Sequence, residues 1–344
     1  GMDAFAESPE WGGSLVIFPF MYYETYGDDS LIKKYYPNMR RYVDYLKTRA
    51  DKGILSFGLG DWYDYGDFRA GFSRNTPVPL VATAHYYMTV MYLVQAAKMV
   101  GNDFDTRYYT SLAQDIMAAF NKYFLHKDTA QYGTGSQCSN ALPLFLQMTQ
   151  DADEQGNYRP DADLHEKVFT NLIKDVEAHG NRLTTGDVGN RYLIQTLARN
   201  GEHELIYKMF NHEEAPGYGF LLKFGATTLT EQWDPRQGSS WNHFMMGQID
   251  EWFFNSLVGI RPSTTPKQGY QKFIIAPQPV GDLKYVKASY DTLYGTINVD
   301  WTCENGTFTL NVSVPVNTTA VVYLPGEKEP KEIQSGTYQL VCAK

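Results

Sequence analysis

Residues 224–254 concentrate side chains that could do chemistry, in the sequence FGATTLTEQWDPRQGSSWNHFMMGQIDEWFF. Three of the six tryptophans of the chain lie here, around Glu231 and His243. Aromatic rings stack on the apolar face of a sugar ring, while a few fixed polar groups bind its hydroxyls. A carboxyl group beside Trp and His is suited to acid/base chemistry, because burial raises its pKa toward neutral pH. Tryptophan at a buried helix start would serve the core alone, but together these residues predict a sugar site that includes Trp233 and Trp241.

A second cluster, Gly60–Asp67 with the sequence GDWYDYGD, places three acids and three aromatic residues in one loop. Asp61 and Asp64 could bind sugar hydroxyls while Trp62 stacks under the ring. The loop lacks the ligand spacing of a twelve-residue calcium loop. The alternative interpretation is a surface loop with an Asx-turn.

Composition and motifs exclude several other classes of function. The net charge of −9 and the lack of any Lys/Arg run argue against a nucleic-acid partner. Three scattered cysteines and seven histidines show no zinc, disulfide-framework or HExxH spacing. No GxSxG occurs, and Gly133-Thr134-Gly135 lacks the rest of a nucleotide fingerprint. No apolar run reaches the ~18 residues of a membrane span. We therefore predict no metal, cofactor, nucleic acid or membrane span.

The elements that must position these residues are mainly helical up to residue 262. Apolar residues recur at helical spacing through Leu80, Ala84, Tyr87, Met91 and Val94, behind a proline-rich start. The spacing predicts helices over 14–26, 30–49, 80–98, 104–124, 138–149, 162–178, 188–200, 202–212 and 241–258. The loops 52–76 and 214–240 are long enough to be functional.

The pattern changes near residue 262 to period-two alternation rich in Val, Thr and Tyr. Asn305-Gly306 predicts a type I′ hairpin. We therefore predict a helical domain over 1–262 and a small antiparallel β-sandwich over 263–344. For the helices we favour an α/α toroid over an irregular α-solenoid, because no repeat of about 34–47 residues is found.

Six motifs, taken in order, resemble those of bacterial α-L-rhamnosidases. Single motifs are weak, but their order is specific, and the resemblance covers nearly the whole chain and includes a C-terminal β-sandwich beginning near Phe273. The motifs are Asp3-Ala4 with Pro9-Glu10-Trp11, Gly60-Asp61-Trp62, Leu183-Thr184-Thr185-Gly186, Thr228-Leu229-Thr230-Glu231-Gln232-Trp233-Asp234, Ser240-Trp241-Asn242-His243 and Ser256-Leu257-Val258-Gly259-Ile260.

The resemblance implies a six-hairpin α/α toroid that cleaves terminal α-L-rhamnosyl linkages with inversion. It implies that Glu231 is the general base acting on water, and that His243 contacts the sugar. It further implies that Trp11 and Trp62 line the pocket, so that the expected partner is a rhamnose-containing carbohydrate. It also favours a periplasmic or extracellular location, although residues 1–13 lack the basic start and apolar run of a signal peptide.

One departure from the family concerns the general acid. In the family it lies in an acidic segment that precedes the part resembling this sequence, and no such segment occurs here. The nine predicted helices also fall short of the family's twelve, so we expect a toroid incomplete at the N-terminus. An exposed apolar patch would then be covered by a further N-terminal segment or by a second copy of the chain.

Three functions therefore remain as hypotheses from the sequence. The first is an α-L-rhamnosidase-type glycosidase with base Glu231 and a sugar subsite formed by Trp11, Asp61, Trp62, Trp233, Trp241 and His243. The second is a catalytically silent carbohydrate-binding remnant. The third is a sugar isomerase or epimerase, a class that can share the toroid and commonly uses histidine as acid/base.

Overall fold

The structure, a computed structural model, describes residue 5 and residues 7–152, 158–238, 240–263 and 266–343. Asp3 and Ala4 of the first motif lie outside the described residues. The described parts form two compact units. Unit one consists of segments 1–18, 32–200 and 208–248, and unit two of segments 19–31, 201–207 and 249–344. The predicted domain boundary at residue 262 stays a prediction.

Eleven α-helices are seen in the described residues. In chain order they are Pro9–Gly12 (α1), Ser14–Tyr26 (α2), Ser30–Arg49 (α3), Val78–Met99 (α4), Asp103–Phe124 (α5), Gln137–Phe145 (α6), Ala162–Ala178 (α7), Gly189–Arg199 (α8), His203–Phe210 (α9), Tyr218–Lys223 (α10) and Gln248–Trp252 (α11). Helices α2, α3 and α7 begin and end where the sequence predicts. Within the described ranges, no helix combines the length and hydropathy that a membrane crossing requires.

Helix formation in unit one follows caps and apolar spacing. In α7 the side chain of Asp161 accepts from Leu164 N, and the buried residues recur every four positions. Helix α4 starts on a proline pair and is buried on almost every side, so it forms the centre of the helical core. Helix α5 packs along α4, and α6 packs against α7 and α8.

Among the described residues of unit one, two short antiparallel strand pairs occur that the sequence pattern does not predict. Their strands are Leu125–His126 (β1) with Gln131–Tyr132 (β2), and Gln150–Ala152 (β3) with Tyr158–Pro160 (β4). The predicted helix 138–149 ends at Phe145, because the chain turns back through Gln147, whose φ is 56°.

The predicted helix 241–258 is wrong in its first part. Residues 240–243 are not helical, with a bend at Trp241 and an extended His243, and short helical turns follow: a 3-10 turn over Phe244–Met246, then α11, then a π-helical turn over Phe253–Val258. The physical reason is tertiary, since the backbone of Ser240 and His243 pairs with the segment 229–231. The long loop 214–240 also contains a helix, α10, that the sequence pattern does not indicate.

The C-terminal part of unit two is a sandwich of two four-stranded sheets. One sheet has the order Lys331–Ile333 (β11), Thr319–Val322 (β10), Lys272–Ile275 (β6), Ile260–Pro262 (β5), and the other has Gly336–Ala343 (β12), Thr307–Val314 (β9), Gly295–Glu304 (β8), Tyr285–Thr292 (β7). Strands β6 and β10 run parallel, and the other neighbouring strands of these sheets are antiparallel.

A single apolar core lies between the two sheets. Its centre is Trp301, which is fully buried and donates Nε1–H to Leu257 O at 2.9 Å. The predicted hairpin between β8 and β9 is confirmed: Asn305 and Gly306 have φ of 51° and 74°, as a type I′ turn requires.

Candidate active site

Glu231 and His243 lie together at the base of one loop. Glu231 N donates to Ser240 O at 2.9 Å, Ser240 N donates back to the Glu231 carboxylate at 3.2 Å, and His243 N donates to Leu229 O at 2.9 Å. Segments 229–231 and 240–243 therefore run antiparallel like a short ladder. The loop between them contains a 3-10 turn, and the Asp234 side chain caps it by accepting from Arg236 N. Backbone hydrogen bonds thus fix the main chain of both residues, and one of them also holds the Glu231 carboxylate.

Asp187 faces His243 from a second loop, residues 183–189. A distance of 3.4 Å separates the Asp187 carboxylate from Nε2 of His243, and the Asp187 side chain is 0% exposed. Burial raises the pKa of Asp187 to about 6, and the contact with His243 limits that rise. In turn, the contact with the Asp187 carboxylate raises the pKa of His243. The sequence did not single out Asp187, although the motif Leu183–Gly186 ends one residue before it.

Asp61, predicted to bind sugar, has its carboxylate occupied by backbone. Its two oxygens accept from Gly186 N at 3.0 Å and from Gly189 N at 2.6 Å, and the residue is 0% exposed. Burial raises the pKa of Asp61 to about 7, against the opposing effect of those two donors. Asp64 likewise accepts from two backbone N–H groups, of Arg74 and Asn75. These acids hold loops together and do not face an open pocket.

Gly186 lets the second loop pack directly on the backbone of the first. A Cβ at this position would lie 2.1 Å from the carbonyl oxygen of Trp62 and 2.6 Å from the backbone nitrogen of Asp64. Asp187 N donates to the same Trp62 oxygen at 2.7 Å. Trp233 completes the packing, since it is 1% exposed and donates Nε1–H to Thr185 O at 3.1 Å. Trp233 therefore joins the loops and, like Asp61, is not positioned to contact a ligand directly.

Trp62 is half-buried and held by other rings. Phe5, Tyr63 and Phe72 meet it edge-on, with centroids 5.6, 4.9 and 5.1 Å away. Burial raises the pKa of Tyr63, and the charges of Glu231 and Asp187 add to that effect, so this aromatic wall lies near both acids. Trp62 thus has a partly exposed ring beside the acids, which suits stacking.

Trp241 lies on the segment that carries His243, and Trp11 lies on α1. Trp241 is 43% exposed and lies on the segment 240–243 at the loop base. Trp11 is half-buried on α1, next to Glu10, whose carboxylate accepts from Gly60 N at 3.1 Å. Burial raises the pKa of Glu10 to about 7. The structure therefore links Trp11 to the first loop through its neighbour, while Trp241 lies next to His243's own segment.

The chemistry available at this site is that of carboxyls, an imidazole and aromatic rings. In the described part of the chain, no group of three or more His, Cys, Asp or Glu side chains is arranged to hold a metal ion. Glu231 has a fixed backbone and a partly exposed side chain, so its carboxylate can exchange a proton with solvent, and the His243 imidazole near it can donate or accept a hydrogen bond.

Comparison with known sequences and structures gives a consistent result. The family profile of the bacterial alpha-L-rhamnosidase 6 hairpin glycosidase domain matches residues 1–257, and that of the bacterial alpha-L-rhamnosidase C-terminal domain matches residues 259–339. An α-L-rhamnosidase of Streptomyces avermitilis is 28% identical over 335 residues, which cover 94% of this chain and 30% of that protein.

Two solved structures share the fold over nearly the whole chain. The α-L-rhamnosidase from Dictyoglumus thermophilum superposes with a TM-score of 0.85 at 29% identity, covering 98% of this chain and 40% of that one. The S. avermitilis α-L-rhamnosidase complexed with L-rhamnose gives a TM-score of 0.83 at 25% identity, covering 96% and 33%. The predicted six-hairpin toroid followed by a β-sandwich is confirmed. The chain spans about a third of the length of the curated relatives it matches.

Proposed function

The chain belongs to the bacterial α-L-rhamnosidase family of six-hairpin glycosidases, and from this premise we propose that it hydrolyses terminal α-L-rhamnosyl linkages with inversion, using Glu231 as general base. The observation that carries the proposal is the backbone ladder that fixes Glu231 next to His243. The remaining contributions to sugar binding that we propose come from Trp11, Trp62, Trp241 and His243. For Asp61 and Trp233, both buried, we propose a supporting role in place of the predicted sugar contact.

In an inverting reaction the base takes a proton from water while the water oxygen attacks the anomeric carbon. The glycosidic C–O bond breaks, and a second carboxyl, roughly 6.5–9.5 Å from the first, protonates the departing oxygen. Glu231 supplies the first of these roles in our proposal. No residue of this chain is assigned to the second, so the experiment must test the base without depending on the acid.

Aryl α-L-rhamnosides with leaving groups of different acidity allow the base to be tested separately from the acid. A dinitrophenolate departs without protonation, whereas a methoxyphenolate needs it, so a site with only the base should cleave the first substrate much faster than the second. Glu231→Gln should lower kcat for the dinitrophenyl substrate by about 10²–10⁴-fold, the usual contribution of a general base. The sugar released first should be the β-anomer, which proton NMR detects.

Glu177→Gln provides the matched control, because Glu177 is exposed on α7 and the change is chemically identical. Equal losses in both variants, or release of the α-anomer first, would overturn Glu231 as the base of an inverting enzyme. Loss of activity on changing His243, with Glu231→Gln harmless, would instead favour the isomerase or epimerase hypothesis.

The second candidate function is a catalytically silent carbohydrate-binding protein, in which the half-buried ring of Trp62 beside Asp187 and Glu231 stacks on a sugar that is not cleaved. Calorimetry with L-rhamnose separates it from the first. Binding of L-rhamnose without turnover of even the dinitrophenyl substrate supports the silent protein, and turnover that is lost with Glu231→Gln rejects it.

A further inference from the structure

The carboxylate of Asp187 is unusual in having no donor of its own. Both of its oxygens are buried and without a hydrogen-bond partner among the described residues. The nearest cation-forming group is Nε2 of His243 at 3.4 Å, an ion-pair distance that is longer than a well-formed hydrogen bond. A buried carboxylate is unfavourable unless a cation or several donors lie beside it. His243 is therefore the group that compensates Asp187.

Hydrogen bonds hold the main chain of Asp187 on both sides. Asp187 N donates to Trp62 O at 2.7 Å, and Asp187 O accepts from the side-chain amide of Gln248 at 2.9 Å. That amide is itself fixed, because its oxygen accepts from Asn190 at 3.0 Å. With both of its backbone polar groups bound, the main chain of Asp187 is fixed, and its buried carboxylate lies 3.4 Å from the imidazole.

We infer that Asp187 is a positioning residue of the active site, which holds His243 as an imidazolium with Nε2–H directed at the buried carboxylate. The opposite ring nitrogen, Nδ1, then points away from Asp187 and presents a charged N–H to a sugar or water oxygen beside Glu231. We expect the 3.4 Å contact to shorten when a ligand binds, as such contacts commonly do between the free and the bound enzyme. This inference rests on the proposed function for its catalytic meaning, but the ion pair itself can be measured independently.

The titratable groups around Asp187 and His243 are acidic. Glu231 faces His243, and Glu231, Asp61 and Tyr63 are the further titratable groups that interact with Asp187 or lie beside it. The carboxylates of Asp187 and Glu231 favour the protonated imidazole against the opposing effect of burial, whereas Tyr63, whose pKa is raised, carries no charge near neutral pH. The pKa of His243 is raised as a result, and the imidazolium persists to higher pH than it would in an unfolded chain, being lost as pH rises through the folded-state value.

The first experiment measures this protonation directly. In protein containing ¹³C-labelled histidine, the seven imidazole signals are followed by NMR as a function of pH, and His243→Gln identifies the signal of His243. We expect a pKa above the ordinary value of ~6.5 in the wild-type protein, and a fall of about one unit or more in Asp187→Asn. A wild-type value at or below ~6.5, or no change in the variant, overturns the inference.

A matched control exists on the surface of α7. His179 Nδ1 lies 3.3 Å from the carboxylate of Asp175, a pair of the same kind at a similar distance but 49% and 25% exposed. Asp175→Asn should leave the titration of His243 and the binding of L-rhamnose unchanged. A change at His243 in this control would show that the method reports on general destabilisation.

The second experiment asks whether Asp187 acts through His243. We expect Asp187→Asn and His243→Gln each to weaken L-rhamnose binding by about tenfold, as measured by calorimetry. The double variant should bind no more weakly than His243→Gln alone, because residues that act as a unit are not additive. Losses that multiply to about a hundredfold would show that Asp187 acts independently, and would overturn the inference.

The two proposals can fail separately. If the wild-type protein does not cleave the dinitrophenyl rhamnoside, the proposed hydrolysis fails while the titration of His243 still decides the role of Asp187. If Asp187→Asn does not fold, the titration of His243 in the wild-type protein decides the question alone.

Discussion

Replacing Gly186 by alanine should separate the loops that form the candidate active site. The added Cβ would lie 2.1 Å from Trp62 O, 2.6 Å from Asp64 N and 2.7 Å from the carbonyl carbon of Tyr63. All three are backbone atoms, so no side-chain rotation can relieve the overlap. One loop must therefore move by about 1 Å or more.

Three hydrogen bonds are at risk from that movement. They join Asp61 to Gly186 N at 3.0 Å and to Gly189 N at 2.6 Å, and Asp187 N to Trp62 O at 2.7 Å. Bonds to a charged carboxylate contribute about 1.5–3 kcal/mol each and a neutral bond about 1 kcal/mol. Allowing for partial retention of these bonds, and adding about 1–3 kcal/mol for overpacking, we expect a loss of roughly 3–6 kcal/mol of unfolding free energy.

The assay is urea unfolding at pH 8, where Asp61 is ionised, together with calorimetry of L-rhamnose binding. Gly180→Ala is the control, because Gly180 has a φ of +69° and nothing lies within 4 Å of its added Cβ. That variant should lose only about 1–2 kcal/mol from backbone strain. The reasoning is refuted if Gly186→Ala is as stable as Gly180→Ala and binds L-rhamnose like the wild-type protein.

Three further predictions follow from burial, charge and exposure. Burial raises the pKa of Asp61 from 3.8 to about 7, so the stabilisation linked to its protonation is present below pH ~4 and is lost as pH rises through 7. Asp61→Asn should therefore remove up to roughly 4 kcal/mol of the change in unfolding free energy between pH 4 and 8. If urea unfolding shows the same dependence of unfolding free energy on pH in the variant, the prediction is contradicted. Trp301→Ala should destabilise the sandwich by about 3–5 kcal/mol, whereas Val316→Ala, at a position 73% exposed, should destabilise it by less than about 0.5 kcal/mol. Similar losses for both variants in denaturant unfolding would show that Trp301 is not the centre of the core. Phe244 is 83% exposed, and its ring lies nearly parallel to that of His243. Phe244→Ala should change the unfolding free energy by less than about 0.5 kcal/mol but weaken L-rhamnose binding about fivefold, as measured by calorimetry. An unchanged affinity would show that Phe244 does not contact the sugar.

Local signals in the sequence were sufficient for much of the fold. Apolar spacing predicted α2, α3 and α7 to the residue, and the dipeptide Asn305-Gly306 predicted the turn between β8 and β9. These features depend on neighbours within a few positions, so the chain itself contains the information. The predicted helix 241–258 failed at its start because Leu229 O and Ser240 O bind partners about ten residues away.

The candidate site was predicted in part, for a related reason. Residue type alone suggested sugar contacts for Asp61 and Trp233. The carboxylate of Asp61, however, is taken by backbone N–H groups more than 120 residues later in the chain, and the indole of Trp233 by Thr185 O. Asp187 was missed because no local pattern marks an acid that is buried by tertiary packing.

The ladder beneath Glu231 and His243 has a consequence for how the site could change. Because the loop is closed at its base by Glu231 N to Ser240 O and His243 N to Leu229 O, the spacing of the two side chains does not depend on what the loop tip contains. Lengthening such a tip destabilises the fold only slightly, since loop-closure entropy costs about 0.6 kcal/mol per doubling of loop length. The stretch 234–238 is therefore a position where new sequence could be grafted while Glu231 and His243 stay in register.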